Sequence, residues 1–208
     1  MPSMNRFHQW LCSSQLWARE VERKLLPWAL KDVRLGDRTL EIGPGYGATT
    51  RILARWAPGR LSVAEIDESS AARLRHQYGD EIEVLHADGT DLPLPDGSFD
   101  TVVCFTMLHH VPSPQQQDRL FAEAFRVLRP GGLFAGCDGR ASTAFRLIHF
   151  RDTYVPVPPE TLPHRLHAVG FDTPAITLTR DNFRFRARRP GVAKGSPDAA
   201  AASAGQAG

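Results

Sequence analysis

Three glycines at alternate positions constrain this chain more than any other feature. They lie in the run Leu40-Glu41-Ile42-Gly43-Pro44-Gly45-Tyr46-Gly47-Ala48-Thr49-Thr50. A short apolar stretch precedes them and a helical pattern follows, which predicts a strand, a tight turn and a helix start. Alternate glycines let a turn take backbone angles closed to other residues and bring its amides close to a ligand. The expectation is a ligand held by backbone.

Around this turn, strand-like and helix-like stretches alternate. Residues 38–42 read as the first strand, and residues 48–56 as the helix leaving the turn, stopped by Pro58-Gly59. Further strands are expected at 61–66, 81–85, 99–105 and 133–137, and helices at 68–78 and 115–128. Asp67 and Ser69 are capping candidates for the first of these helices. Arg129-Pro130-Gly131-Gly132 reads as the stop after the second. Such alternation argues for right-handed crossovers and an α/β fold with a doubly wound, parallel sheet. After Asp138 the pattern loosens into expected helices at 143–150 and 160–169, with a stiff extended piece at 156–159. Two strand-like runs follow, 175–179 and 182–187, whose short join requires an antiparallel hairpin.

Residues 14–26 read as an amphipathic helix with Leu16, Trp17, Val21 and Leu25 on its apolar stripe, and Pro27 is expected to kink or end it. Either that helix simply packs on the sheet, or residues 4–30, with Trp10, Trp17 and Trp28, cover a ligand cleft. The expected organisation is an N-terminal helical segment (1–36), the α/β domain (37–189) and a tail (190–208). In the tail Ala, Gly, Ser and Pro dominate, so disorder is expected.

A chain of 208 residues, 42% hydrophobic, can bury a core of its own, and a net charge of +2 gives little sequence-independent attraction to nucleic acid. Small partners are favoured. Cys12, Cys104 and Cys137 lack disulfide or zinc-ligand spacing, which fits a reducing cytoplasm. The N-terminus has no run long and apolar enough for a signal peptide or membrane span. No cluster of acids is spaced for a catalytic metal, so none is expected. The oligomeric state has no signature here.

Two acids narrow the ligand. A glycine turn alone is weak, because Gly43-x-Gly45-x-x-Ala48 also satisfies a loose dinucleotide fingerprint. Glu65 lies at the end of the second strand, about where such folds place a carboxylate on ribose hydroxyls. Asp88, just past the third strand, could accept from an exocyclic adenine amine. Together they outline an adenosine site.

Residues 40–47, Glu65, Ala87-Asp88-Gly89-Thr90-Asp91-Leu92-Pro93, Phe99-Asp100-Thr101-Val102-Val103, Leu108-His109-His110-Val111 and Leu128-Arg129-Pro130-Gly131-Gly132 occur in register over residues 38–138. Together they resemble the successive motifs of class I S-adenosylmethionine-dependent methyltransferases. The resemblance implies a seven-stranded sheet with an antiparallel last strand, and S-adenosylmethionine as cofactor. It assigns Glu41, Gly43, Gly45 and Gly47 to the methionine and ribose side and Glu65 to the ribose diol. Asp88 and Gly89 fall at adenine, and the backbone of Phe105 and Thr106 at the floor near the methionine. Asp67 competes with Glu65, since the two acids lie on one face of a strand.

Methyl transfer needs an in-line approach of the nucleophile, and a base only where the nucleophile holds a proton. His109 and His110 are the base candidates, because imidazole titrates near neutral pH, with a structural role as the alternative. Asp138, Arg140, His149, Asp152 and Tyr154 follow the fifth strand and are expected on the substrate side. The acceptor is expected to be a small molecule. An RNA (adenine-type) methyltransferase is the alternative, supported by the basic, aromatic run from Asn182 to Arg189. That run equally fits an edge strand with charges outward. The strand exit Cys104-Phe105-Thr106-Met107 lacks the Asn/Asp-Pro-Pro-aromatic sequence that the resemblance implies for a methylase of base amines. A nicotinamide dehydrogenase or a non-catalytic cofactor-binding protein would use the same turn.

Overall fold

The computed structural model describes residues 5–191. Residues 1–4 and nearly all of the expected tail lie outside them. The strands are β1 (Arg38–Ile42), β2 (Arg60–Glu65), β3 (Glu83–His86), β4 (Phe99–Phe105), β5 (Leu128–Gly139), β6 (Asp172–Leu178) and β7 (Asn182–Arg188). They form one sheet in the order β3-β2-β1-β4-β5-β7-β6. The first five pair in parallel, whereas β7 runs antiparallel to both β5 and β6. The order reverses between β1 and β4, which in open α/β sheets marks the crevice where ligands bind. That crevice opens beside the glycine turn.

Period-two alternation sorts the strand residues between two cores. Leu40, Ile42, Val102, Cys104 and Phe134 face one core, with Leu120, Phe121 and Ala124 of α6 (Pro114–Val127) and Leu162 and Leu166 of α8 (Leu162–Ala168). Val63, Val103, Phe105, Ala135 and Cys137 face the other, with Ile52 and Leu53 of α4 (Thr50–Trp56) and Leu74 of α5 (Glu68–Tyr78). Phe134 meets Phe171, Phe185 and Phe121 at ring-centroid distances of 5.6, 4.9 and 6.1 Å. Truncating it to alanine should cost about 3–5 kcal/mol.

The N-terminal segment comprises α1 (Arg6–Cys12), α2 (Gln15–Glu20), a wide π turn at Val21–Leu25 and α3 (Leu26–Ala29). Ser14 caps α2 by accepting from Trp17 N. Pro27 does not stop the helix there. In the π turn Leu26 N–H reaches five residues back to Val21 O, which loosens the spiral just before the residue that lacks an N–H, and the chain stays helical to Ala29. Val21 and Leu26 are fully buried, but Leu16, expected on the same stripe, is 72% exposed. The segment is fastened at both ends: Asn5 bonds to the chain at 148–152, and Arg184 of β7 donates to the carbonyls of Trp28 and Lys31. Between these ties it packs on the sheet face that carries Val63, Val103 and Ala135. Strand β5 also begins earlier than expected, because α6 ends at Val127 and Arg129-Pro130-Gly131-Gly132 is already extended chain beside β4 and β7.

Candidate functional site

In the turn after β1, Gly43, Gly45 and Gly47 have φ of 68°, 55° and 78°. This is the left-handed region that only glycine enters freely. A Cβ at Gly47 would also fall 2.8 Å from Leu74 Cδ2, and one at Gly43 2.9 Å from Met107 Cε. The turn is thus clamped between α5 and the exit of β4. Glu65, the last residue of β2, closes it: its Oε2 accepts from Gly45 N at 2.8 Å and its Oε1 from Asp67 N at 2.9 Å. A carboxylate has roughly four acceptor positions, so this one keeps capacity for hydroxyl donors.

Glu41 lies one pleat before the turn, 1% exposed, and accepts from the hydroxyls of Thr49 and Thr50 at the start of α4. Burial raises its carboxyl to about 7, against the pull of those hydroxyls. It therefore anchors the far side of the loop from beneath. Asp67, the rival for Glu65, instead caps α5: its Oδ1 accepts from Ser70 N and Ser69 Oγ, which holds its pKa below the usual carboxylate range. The alternation that puts both acids on one face ends with the strand at Glu65, and the chain then turns into the helix. Asp88 is exposed in the turn after β3, where its Oδ1 accepts from Thr90 N and Oγ1. Beside it, a Cβ at Gly89 would fall 2.6 Å from Ile42 Cγ2, so the chain runs close over the end of β1.

At the exit of β4, Phe105 is buried and Thr106 has φ 49°, a strained angle for a β-branched residue, while its N–H donates to Cys137 O. The short 3₁₀ turn Leu108–His110 follows. His109 is 2% exposed; its Nδ1 lies 2.5 Å from Asp138 Oδ1 and its backbone N–H donates to Asp138 Oδ2. Asp138 also accepts from Gly139 N. Because a carboxylate only accepts, His109 Nδ1 carries the proton and a neutral ring keeps its lone pair on Nε2. That Nε2 is buried with no hydrogen-bond partner among the described residues.

Phe145 of α7 (Thr143–Ile148), His149 and Tyr154 complete the wall. Their ring centroids lie 4.9, 4.7 and 6.3 Å from that of His109, and His110 lies 4.2 Å away. Burial raises the Tyr154 phenol pKa. Three residues expected on the substrate side are engaged by partners within the fold. Asp138 is 1% exposed and committed to His109, Arg140 donates to the carbonyls of Thr179 and Arg180 and so holds the hairpin, and Asp152 accepts from Asn5. In each case a nearby backbone or buried donor claims the charge. His149 and Tyr154 do reach the centre. The sequence reading missed Phe145, whose helical spacing marked only a helix, and Asn5, which carries no local signal.

Residues 40–136 match the protein family described as Methyltransferase domain. The chain is 33% identical over 128 residues to a demethylmenaquinone methyltransferase of Clavibacter sepedonicus, covering 61% of this chain and 48% of the relative. It is 36% identical over 108 residues to a fatty-acid O-methyltransferase of Mycolicibacterium smegmatis, covering 50% and 38%. The match thus spans less than half the length of these relatives. Among solved structures it is similar to phosphoethanolamine N-methyltransferase 2 of Haemonchus contortus in complex with S-adenosyl-L-methionine, with a TM-score of 0.65, 16% identity, and 90% of this chain and 61% of that one covered. Residues 40–136 are thus a methyltransferase domain of the class I, S-adenosylmethionine-dependent type. S-adenosylmethionine is the cofactor of the class. The glycine cradle, with its backbone amides, and the Glu65 carboxylate at the strand end fit its amino-acid and ribose parts.

Proposed function

We propose that the protein methylates a small, largely apolar acceptor that carries an ionisable hydroxyl, with His109 as general base and Asp138 as its positioning residue. The observation that carries this reading is the buried His109 ring, whose Nδ1 is fixed by Asp138 and whose Nε2 is unpartnered. In this reading Gly43, Gly45, Gly47 and the Phe105–Thr106 backbone cradle the methionine end of the cofactor. Glu65 takes the ribose diol, Asp88 and Gly89 take adenine, and Glu41 orients the loop without touching the ligand. When bound, S-adenosylmethionine supplies an electrophilic methyl on a sulfonium that leaves as a neutral thioether. His109 Nε2 takes the acceptor's proton as its oxygen attacks, and Asp138 stabilises the resulting imidazolium. Phe145 and Tyr154 supply aromatic rings for an apolar or aromatic acceptor, and Leu147 and Phe150, both 68% exposed, lie between them in the chain. The names of the two relatives, one acting on a demethylmenaquinone and one on a fatty acid, support an apolar acceptor.

The basic run in β7, the main support for RNA, is largely consumed by the fold. Arg184 holds Trp28 and Lys31, Arg188 bonds to Gly131 O, and Arg189 donates to the carbonyls of Phe125, Arg126 and Leu128. Among the described residues no helix is long and apolar enough to cross a membrane. The test is incubation with methyl-labelled cofactor and a panel of naphthoquinols, phenols, fatty acids and RNA. Label in a hydroxylated apolar compound is expected. Label in RNA alone, or cofactor binding with no transfer to any extract, would overturn the reading.

A further inference from the structure

Outside the cradle, the described residues contain one group of three potential metal ligands. A ring nitrogen each of His109, His110 and His149 lie within 4.8 Å of one another. We propose that these three histidines form a binding site for a divalent transition metal of the zinc type, with Asp138 as the outer carboxylate that orients one ligand.

The protonation pattern supports this. His109 Nδ1 points at a carboxylate, and His149 Nδ1 lies 2.7 Å from Phe145 O, which can only accept. Both Nδ1 atoms therefore carry the proton, and in the neutral rings both lone pairs sit on Nε2. The His109–Asp138 pair reproduces the carboxylate–histidine–metal arrangement that fixes ring orientation and raises ligand basicity. His109 Nε2 is moreover a buried nitrogen with no protein partner, which a metal ion would satisfy. A tetrahedral ion with bonds of about 2.0–2.1 Å needs ligand nitrogens roughly 3.4 Å apart. From a spread within 4.8 Å the rings would have to turn to reach that spacing, and His110 is the least buried of the three. Imidazole donors favour zinc, cobalt, nickel or copper over magnesium or calcium, which prefer oxygen. Three protein ligands leave a coordination position open.

The site shares His109 Nε2 with the proposed base, so metal and proton compete for one lone pair. Binding can nevertheless be read without any turnover. Untagged protein, stripped with chelator, is titrated with Co²⁺, followed by its visible absorption, and with Zn²⁺ by calorimetry. One ion per chain is expected, with a tetrahedral cobalt spectrum. His110→Ala and His149→Ala should each weaken Zn²⁺ binding by at least about 100-fold, and Asp138→Asn by about 10–100-fold. Thermal melts identify any variant that has lost its fold; His110 is half-exposed, so its variant keeps the test open. An exposed histidine elsewhere, His86→Ala, should change nothing. Substoichiometric binding, an octahedral spectrum, or equal affinity in folded wild type and His110→Ala would overturn the proposal, whether or not methyl transfer is observed.

Discussion

The two halves of the cleft are built in opposite ways. On the cofactor side, most polar groups are held by neighbours close in sequence: Glu41 by Thr49 and Thr50, Asp67 by Ser69 and Ser70, Asp88 by Thr90, while Glu65 reaches back to the turn at Gly45. On the acceptor side, three stretches meet, His109 after β4, Asp138 in β5, and Phe145, His149 and Tyr154 in and after α7, and they leave His109 Nε2 without a partner among the described residues. Local satisfaction makes a rigid cradle for one fixed ligand. Long-range assembly makes a wall whose members can be exchanged for another acceptor without disturbing the cradle.

If the halves are independent, His109→Ala should lower turnover by about 10²–10⁴-fold while S-adenosylhomocysteine affinity stays within about twofold. A parallel loss of affinity in calorimetry would break the comparison. Glu41 gives the next largest effect, on stability. Its folded value of about 7 exceeds the ordinary 4.5, so the folded protein holds the extra proton between those values. Its contribution is fully present below about pH 4.5 and is lost as pH rises through 7, a change on the order of 3 kcal/mol. Urea midpoints of wild type should therefore fall across that window, and Glu41→Gln should flatten the fall; an unaltered slope would rule Glu41 out as its source. Glu65→Ala should weaken S-adenosylhomocysteine binding by about 1.5–3 kcal/mol. Wild-type affinity would remove Glu65 from the ribose. Asp67→Ala is the smallest: a loss of about 1 kcal/mol of stability as the α5 cap goes, with cofactor affinity held. If affinity falls instead, the cap and the ribose site are one device.

The same contrast decides what could be read from the sequence. Gly43, Gly45 and Gly47 advertise their backbone angles because few other residues tolerate them, and the end of β2 located Glu65 without tertiary information. The hairpin between β6 and β7 followed from a join too short for anything else. Asp138, Arg140 and Asp152 were legible as charged residues after β5 but not as partners. What claims each of them, the His109 ring, the Thr179 and Arg180 carbonyls and Asn5, depends on contacts that no spacing encodes. Of the two outcomes expected at Pro27, a kink or an end, the end did not follow: a π turn precedes the missing N–H, and nothing in local propensity announces one.

The bond between Asn5 and Asp152 joins residues 147 positions apart. A chain made from its N-terminus holds Asn5 long before Asp152 exists, whereas the glycine turn, β2 and β3 meet their partners early. The N-terminal segment can therefore be latched there only after residues 148–152 have been made. A nascent chain should acquire its cradle first and its acceptor wall later, so that the two sides of the cleft are completed in a fixed order.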